Sequence, residues 1–114
     1  MVSERPEVAT GRGGAKSPAL LRAVQAMPLP LRPVRIRLFA SAREAVGSPT
    51  LLWRVPATGV TVSELVERLG REYPRLRPTL RVSRFVRNEE YLRDRNERIR
   101  PGDEFAVHPP YGGG

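Results

Sequence analysis

Apolar and polar residues alternate strictly over Val34-Arg35-Ile36-Arg37-Leu38-Phe39, and a period of two marks a strand with one buried face. Val34, Ile36 and Leu38 are therefore expected to point inward. Phe39 falls on the side of Arg35 and Arg37, which puts an aromatic ring on the solvent face or at its edge, open to a partner contact. The alternation returns at Leu51-Leu52-Trp53-Arg54-Val55, with Leu51, Trp53 and Val55 on one face. Between these strands Ser41 to Val46 reads as a helical turn closed by Gly47, so the two strands are expected to form a hairpin around it. The period then changes. Thr61-Val62-Ser63-Glu64 has the spacing of a capping box, in which the threonine oxygen and the glutamate carboxylate each accept a bond from an N–H at a helix start. Val62, Leu65, Val66 and Leu69 follow at helical spacing, and Pro74 ends the segment.

Beyond Pro74 the arginines 75, 77, 81, 84 and 87 interleave with Leu76, Leu80, Val82, Phe85 and Val86. The pattern predicts a loop leading into a strand over residues 82–87. Asn88-Glu89-Glu90 and Pro101-Gly102-Asp103 read as turns, with Tyr91, Leu92 and Ile99 as apolar anchors of a short irregular return between them. Glu104 to His108 is the last strand. The order strand, strand, helix, strand, strand predicts an α+β fold, a mixed sheet of four to five strands crossed by one main helix. A right-handed crossover would set the last strand beside the first, in the middle of the sheet.

Residues 1–33 mix proline and glycine with scattered charge, a composition that predicts a disordered extension ahead of a domain over 34–114. Within it only Ser17 to Met27 has helical spacing, and Met27 is a candidate alternative start. A chain of 114 residues suits one small domain. The absence of cysteine excludes disulfides, thiolate-bound zinc and a cysteine nucleophile, and a lone histidine excludes a multi-histidine metal site. A cytoplasmic setting fits this composition, and no apolar run is long enough to span a bilayer.

The net charge of +8 would suit an acidic partner, yet it is spread along the chain, five basic against two acidic residues in 1–33 and fifteen against ten in 34–114. Phe85 is the one aromatic interleaved with the central arginines, which ranks nucleic-acid binding last. Lys16 is the only lysine; codon usage in a GC-rich genome explains this most simply, and a domain free of amines that could capture an activated acyl group is the second reading.

The candidate chemistry lies at the end. Pro109 and Pro110 lack N–H groups and stop the ladder after His108. Tyr111 and three glycines, Gly112, Gly113 and Gly114, follow. Residues without Cβ atoms can enter a channel too narrow for side chains. A terminal carboxylate is ionised at neutral pH and a poor electrophile, so it reacts only after conversion to an activated acyl species such as an acyl-adenylate. Fraying, common at chain termini, is the bland alternative for such a tail.

Residues 34–114 resemble the small subunit of molybdopterin synthase, the MoaD-type sulfur carriers of the ubiquitin-like β-grasp superfamily. The resemblance is carried by residues 38–47 (Leu38 to Gly47), Thr61-Val62-Ser63-Glu64-Leu65, Asn88 with Tyr91, Pro101-Gly102-Asp103-Glu104, Pro109-Pro110 and the terminal Gly113-Gly114. Glu89 stands where that family usually has glycine, Arg87 and His108 where it favours apolar residues, and Gly112 where it has a small residue such as serine. The resemblance implies that an E1-like adenylyltransferase uses ATP to adenylate the Gly114 carboxylate, and that a sulfurtransferase then supplies the sulfur of a thiocarboxylate. It further implies that the tail enters the large subunit of the synthase and delivers sulfur to a pterin precursor, forming the dithiolene of the molybdenum cofactor. On that reading the carrier binds no cofactor or metal, Gly114 is the reacting end, and Phe39, His108, Pro109, Pro110, Tyr111, Gly112 and Gly113 contact partners. Neither nucleic acid nor membrane is expected as a partner. Sulfur carriage toward thiazole or cysteine, and attachment to target amines as a ubiquitin-like modifier, are the alternatives.

Overall fold

A computed structural model describes residues 18–110. The residues expected to form the reactive tail, Tyr111 to Gly114, lie outside the described residues, as do residues 1–17.

The first strand, β1 (Val34–Leu38), buries Val34, Ile36 and Leu38 as the alternation predicts. Helix α2 (Ala40–Val46) follows and ends on Gly47, whose φ of 88° is the left-handed closing conformation that glycine adopts without strain. Strand β2 (Thr50–Trp53) then returns antiparallel to β1, with Val34 opposite Trp53 and Arg37 opposite Thr50. The expected hairpin around a helical turn is thus present.

Two-residue strand β3 (Val60–Thr61) leads into the main helix, α3 (Val62–Glu72). Its capping box is complete: the Glu64 N–H donates to Thr61 Oγ1 at 3.1 Å and the Thr61 N–H donates to Glu64 Oε1 at 2.8 Å. Those bonds, the backbone one foremost, hold the Glu64 carboxyl below the usual carboxylate range. Val62, Leu65 and Leu69 of α3 lie in the core.

The stretch expected as a loop over 75–81 is helical instead. A 3-10 turn, Pro74–Leu76, runs into α4 (Arg77–Val82), and Leu76 and Leu80, four residues apart, are buried at 0% and 4% exposure. Pro78, near the start of α4, has the fixed φ that suits a first helical turn. Val82, taken as the start of a strand, is 60% exposed. The strand, β4 (Arg84–Arg87), begins two residues later.

Strands β4 and β5 (Glu90–Tyr91) form a hairpin in which Asn88 and Glu89 make the two-residue turn at φ values of 48° and 72°. Both are left-handed, the requirement of the tight turn that matches strand twist. Asn88 also ties the turn to the last strand, its Oδ1 accepting from the Glu104 N–H at 2.9 Å and its Nδ2 donating to Asp103 at 3.1 Å. Strand β6 (Arg98–Ile99) pairs with β3 in a separate two-stranded sheet that alternation did not predict, since two residues show no period. Arg87 reaches across to this return, donating to the Arg98 carbonyl at 2.9 Å and to Glu97 at 3.0 Å.

The last strand, β7 (Glu104–His108), occupies the centre of the five-stranded sheet, whose order is β2-β1-β7-β4-β5. It runs parallel to β1 and antiparallel to β4. Phe105 and Val107 are fully buried against the helices, and Phe105 stacks on Phe85 with centroids 5.5 Å apart.

The expectation of a disordered extension does not hold for residues 18–33. They form α1 (Pro18–Ala26) and a 3-10 turn, Leu29–Leu31. Arg32 holds the end of α1, donating from Nε to the Met27 carbonyl at 2.9 Å and from a terminal nitrogen to the Gln25 carbonyl at 2.8 Å. Leu29 sits directly over Gly102, where a Cβ would lie 2.8 Å from its Cδ1, and the Gly102 N–H donates to the Pro33 carbonyl at 3.3 Å. The segment meets the sheet through Leu29 at Gly102, and Leu20, Leu21 and Val24 of α1 face Thr50, Leu51 and Leu52 of β2 across a pocket of about 460 Å³. Among the described residues no helix is long and apolar enough to cross a membrane.

Candidate docking face and tail exit

Helices α2, α3 and α4 cover one face of the sheet, so the other face displays the alternate positions of its strands, with α1 bordering it at Arg35, Thr50 and Leu52. The register sets Arg35 and Arg37 of β1, Glu104, Ala106 and His108 of β7, Arg84 and Val86 of β4, and Tyr91 of β5 on that outer face. Arg84 lies opposite His108, and Val86 lies opposite both Ala106 and Tyr91.

Three rings meet at the end where β7 finishes. Phe39 stacks on His108 with centroids 4.5 Å apart and planes 23° off parallel, and Tyr91 approaches His108 edge-on at 6.4 Å. The Arg37 guanidinium lies 5.1 Å from the Phe39 ring and that of Arg84 lies 5.2 Å from Tyr91. Arg37, Phe39, Tyr91 and His108, with Asn88, Glu89 and Glu104, line a shallow hollow of about 290 Å³ together with Val86 and Ala106. Tyr91 remains 59% exposed, so the patch is an apolar surface facing solvent. Surfaces of this kind, with cations around rings, are suited to a protein partner.

Glu104 anchors the other end of the face. It accepts from Arg35 at 2.9 Å and from Arg37 at 3.2 Å. Partial burial pushes its carboxyl up, and the bonds and positive charges of the two arginines outweigh that effect, so its pKa lies below the ordinary carboxylate value. The pair of contacts also fixes where Arg37 stands beside Phe39.

Of the residues singled out from sequence, Phe39 and His108 are brought together in this patch, and Pro109 and Pro110 leave the sheet immediately beside it. Tyr111, Gly112, Gly113 and Gly114 lie outside the described residues. Three members of the patch escaped the sequence reading: Tyr91, assigned as an anchor of the irregular return, and the guanidiniums of Arg37 and Arg84. The signal that could have found Tyr91 is the turn at Asn88-Glu89, because a two-residue loop fixes the register that puts Tyr91 opposite Val86. Chemically the patch offers rings, cations and two carboxylates, Glu89 and the Glu104 already held by two arginines. That inventory serves recognition, and among the described residues no group of three or more metal-ligating side chains occurs.

A mixed sheet with one central parallel pair, grasping a capped helix and releasing its last strand beside an exposed patch, defines a ubiquitin-like β-grasp domain of the carrier and modifier type. The ThiS family model matches residues 36–114, and the chain belongs to that family. A curated relative from Dictyostelium discoideum, named molybdopterin synthase sulfur carrier subunit, is 36% identical over 81 residues, which cover 70% of this chain and 94% of that protein. One of the same name from Arabidopsis thaliana is 33% identical over 81 residues, 71% of this chain and 82% of that protein. Among solved structures, the crystal structure of H. volcanii small archaeal modifier protein 1 matches with a TM-score of 0.60 at 27% identity, covering 68% of this chain and 97% of that one.

Proposed function

We propose that this chain is the sulfur carrier subunit of a molybdopterin synthase, carrying sulfur as a thiocarboxylate at Gly114. One observation carries the reading: the central strand delivers the chain to Pro109-Pro110 beside an exposed aromatic patch, in a protein whose curated relatives bear that name. In the first step an oxygen of the Gly114 carboxylate attacks the α-phosphorus of ATP on an E1-like adenylyltransferase, and pyrophosphate leaves. A sulfurtransferase persulfide then attacks the acyl carbon, AMP departs with its electron pair, and a thiol cleaves the resulting acyl disulfide, forming a disulfide with the donor cysteine and leaving the thiocarboxylate on Gly114. The resulting terminal sulfur is ionised and strongly nucleophilic. Docking of the outer face on the large subunit directs the tail into that partner, where the sulfur passes to a pterin precursor. The carrier contributes positioning, which converts an encounter between two molecules into a step within one complex.

The test is intact mass. Incubation with ATP, the adenylyltransferase and a sulfur donor should add the mass difference of one oxygen exchanged for sulfur, located by fragmentation at Gly114. Deleting Gly114 should abolish pterin product formation while leaving the unfolding transition unchanged. An unaltered mass with partners competent on another carrier would overturn the reading. A second reading, attachment to target amines, is favoured by the structural match to a small archaeal modifier protein. It predicts higher-mass conjugates in lysate that vanish with the Gly114 deletion.

A further inference from the structure

The helical side of the molecule carries a second surface that the carrier role does not use. Between α3, α4 and the loop over residues 92–97 lies a groove of about 380 Å³. Its floor is apolar: Val66, Gly70 and Leu80. Its rim carries four guanidiniums, those of Arg71, Arg77, Arg81 and Arg95, against the single carboxylate of Glu67. That carboxylate stands 3.9 Å from Arg71, too far for a strong bond, and both side chains are more than 60% exposed.

The groove has a built element. Gly70 lacks the Cβ that would lie 3.2 Å from Arg77 Cγ, so the Arg77 side chain lies close across α3. Its Nε donates to the Gly70 carbonyl at 2.9 Å, which fixes the plane of the guanidinium while leaving its two terminal amino groups available to a ligand. Arg81 follows one turn later on α4, and its side chain has no hydrogen bond or ion pair among the described residues. Arg95 is steadied over the Phe85 ring at 5.2 Å. Leu65, Leu69 and Leu80 pack these helices onto the inner face of the sheet, so the groove points away from the patch of Phe39, Tyr91 and His108.

We infer that this groove binds an acidic peptide segment of a partner protein, one that sets an apolar side chain on the floor between carboxylates held by the rim. Charge selects the occupant. A second copy of this chain, with net charge +8, brings the same sign to the contact. A nucleic acid would satisfy the arginines but leave the partly exposed Val66 uncovered, and no aromatic ring lines the groove to stack a base. An acidic peptide with alternating apolar residues satisfies both rim and floor.

Fluorescence anisotropy with labelled synthetic probes tests this. The probes are a peptide of alternating Glu-Glu-Leu triplets, its Gln-Gln-Leu counterpart, a Glu-Glu-Ser version without the apolar side chain, and a single-stranded DNA oligomer. Arg71→Glu and Arg81→Glu, singly and together, perturb the rim. Arg54→Glu, on an exposed arginine just after β2, makes the same change of charge elsewhere. The full-length protein should bind the Glu-Glu-Leu probe best, and the double variant should weaken it about tenfold or more while Arg54→Glu changes it less than about twofold. Equal loss in Arg54→Glu would reveal diffuse attraction and overturn the inference. So would equal binding of the Ser and Leu probes, or tighter binding of DNA that is lost with the same arginines. Each readout is independent of the thiocarboxylate, so failure here leaves the carrier reading standing.

Discussion

Replacing Phe39 with alanine should separate folding from docking. The ring is half-buried, stacked on His108 at 4.5 Å, and stands outside the hydrophobic core. What α2 needs from this residue is its backbone: the Phe39 carbonyl accepts from the N–H groups of Ala42 at 3.0 Å and Arg43 at 3.4 Å, bonds that alanine keeps. Folding therefore loses one aromatic contact and a fraction of a buried ring, about 1 kcal/mol. Docking loses the transfer of the exposed part of the ring from water into an interface, about half of the roughly 1.5–3 kcal/mol of full burial. That corresponds to a Kd for the large subunit raised about 4- to 12-fold. Isothermal titration of wild type and F39A against the large subunit reads the binding side, and urea unfolding of each carrier alone reads the folding side. A Kd within about twofold of wild type would refute the assignment of the patch as the docking face. A loss of about 3 kcal/mol or more in unfolding free energy would refute it differently, by marking Phe39 as a core residue.

At the β4–β5 turn, Glu89→Gly should raise the thermal midpoint. The left-handed φ of 72° costs a side chain about 1 kcal/mol, only partly offset by the greater freedom of glycine in the unfolded chain; a lower midpoint would contradict this. Glu104→Gln should flatten the acid limb of the stability curve. The folded pKa of Glu104 is depressed, so its contribution is present above the unfolded carboxylate pKa and is lost as pH falls through the lower folded value. Urea midpoints measured from neutral pH into acid read the effect, and parallel curves for wild type and E104Q would count against it. Inserting two glycines after Pro110 should leave large-subunit affinity unchanged and slow pterin product formation, a split visible as unaltered Kd with reduced single-turnover rate; equal loss in both would show that the spacer itself binds.

Where a local rule and a long-range one agree, the fold is legible in the sequence. Val34 to Leu38 alternates because one face of β1 is buried, and Thr61 with Glu64 announces α3 because both capping partners lie within four residues. Helix α4 was missed because Leu76 and Leu80 carry its helical spacing in only one pair, while the arginines between them mimic alternation. Over 18–33 the helical spacing of residues 17–27 is visible in the sequence, but the docking of the segment is not, because the approach of Leu29 to Gly102 joins residues far apart in the chain and leaves no periodic trace. The docking patch was half visible. Phe39 and His108 could be named from their strand positions, but their stacking, and the arrival of Tyr91 and Arg84, depend on the order of β1, β7, β4 and β5 across the sheet.

That order constrains the partner as well. Strand β7 is bonded on both sides, to β1 and to β4, so the point at which the chain leaves the sheet is fixed relative to the Phe39–His108 stack. From Pro109 to Gly114 the chain, fully extended, spans at most about 20 Å. Any partner that docks on the patch and receives the terminal acyl group must therefore hold its reacting centre within about 20 Å of those rings, along a channel narrow enough that glycine is the residue suited to it. An adenylating enzyme and a synthase that use the same face are bound by the same distance, and a face occupied by one excludes the other. On the proposed function, charging and discharge would then alternate by dissociation, which asks for docking that is specific but readily reversed. Three rings flanked by Arg37 and Arg84, with no deep cleft between them, form a surface of that kind.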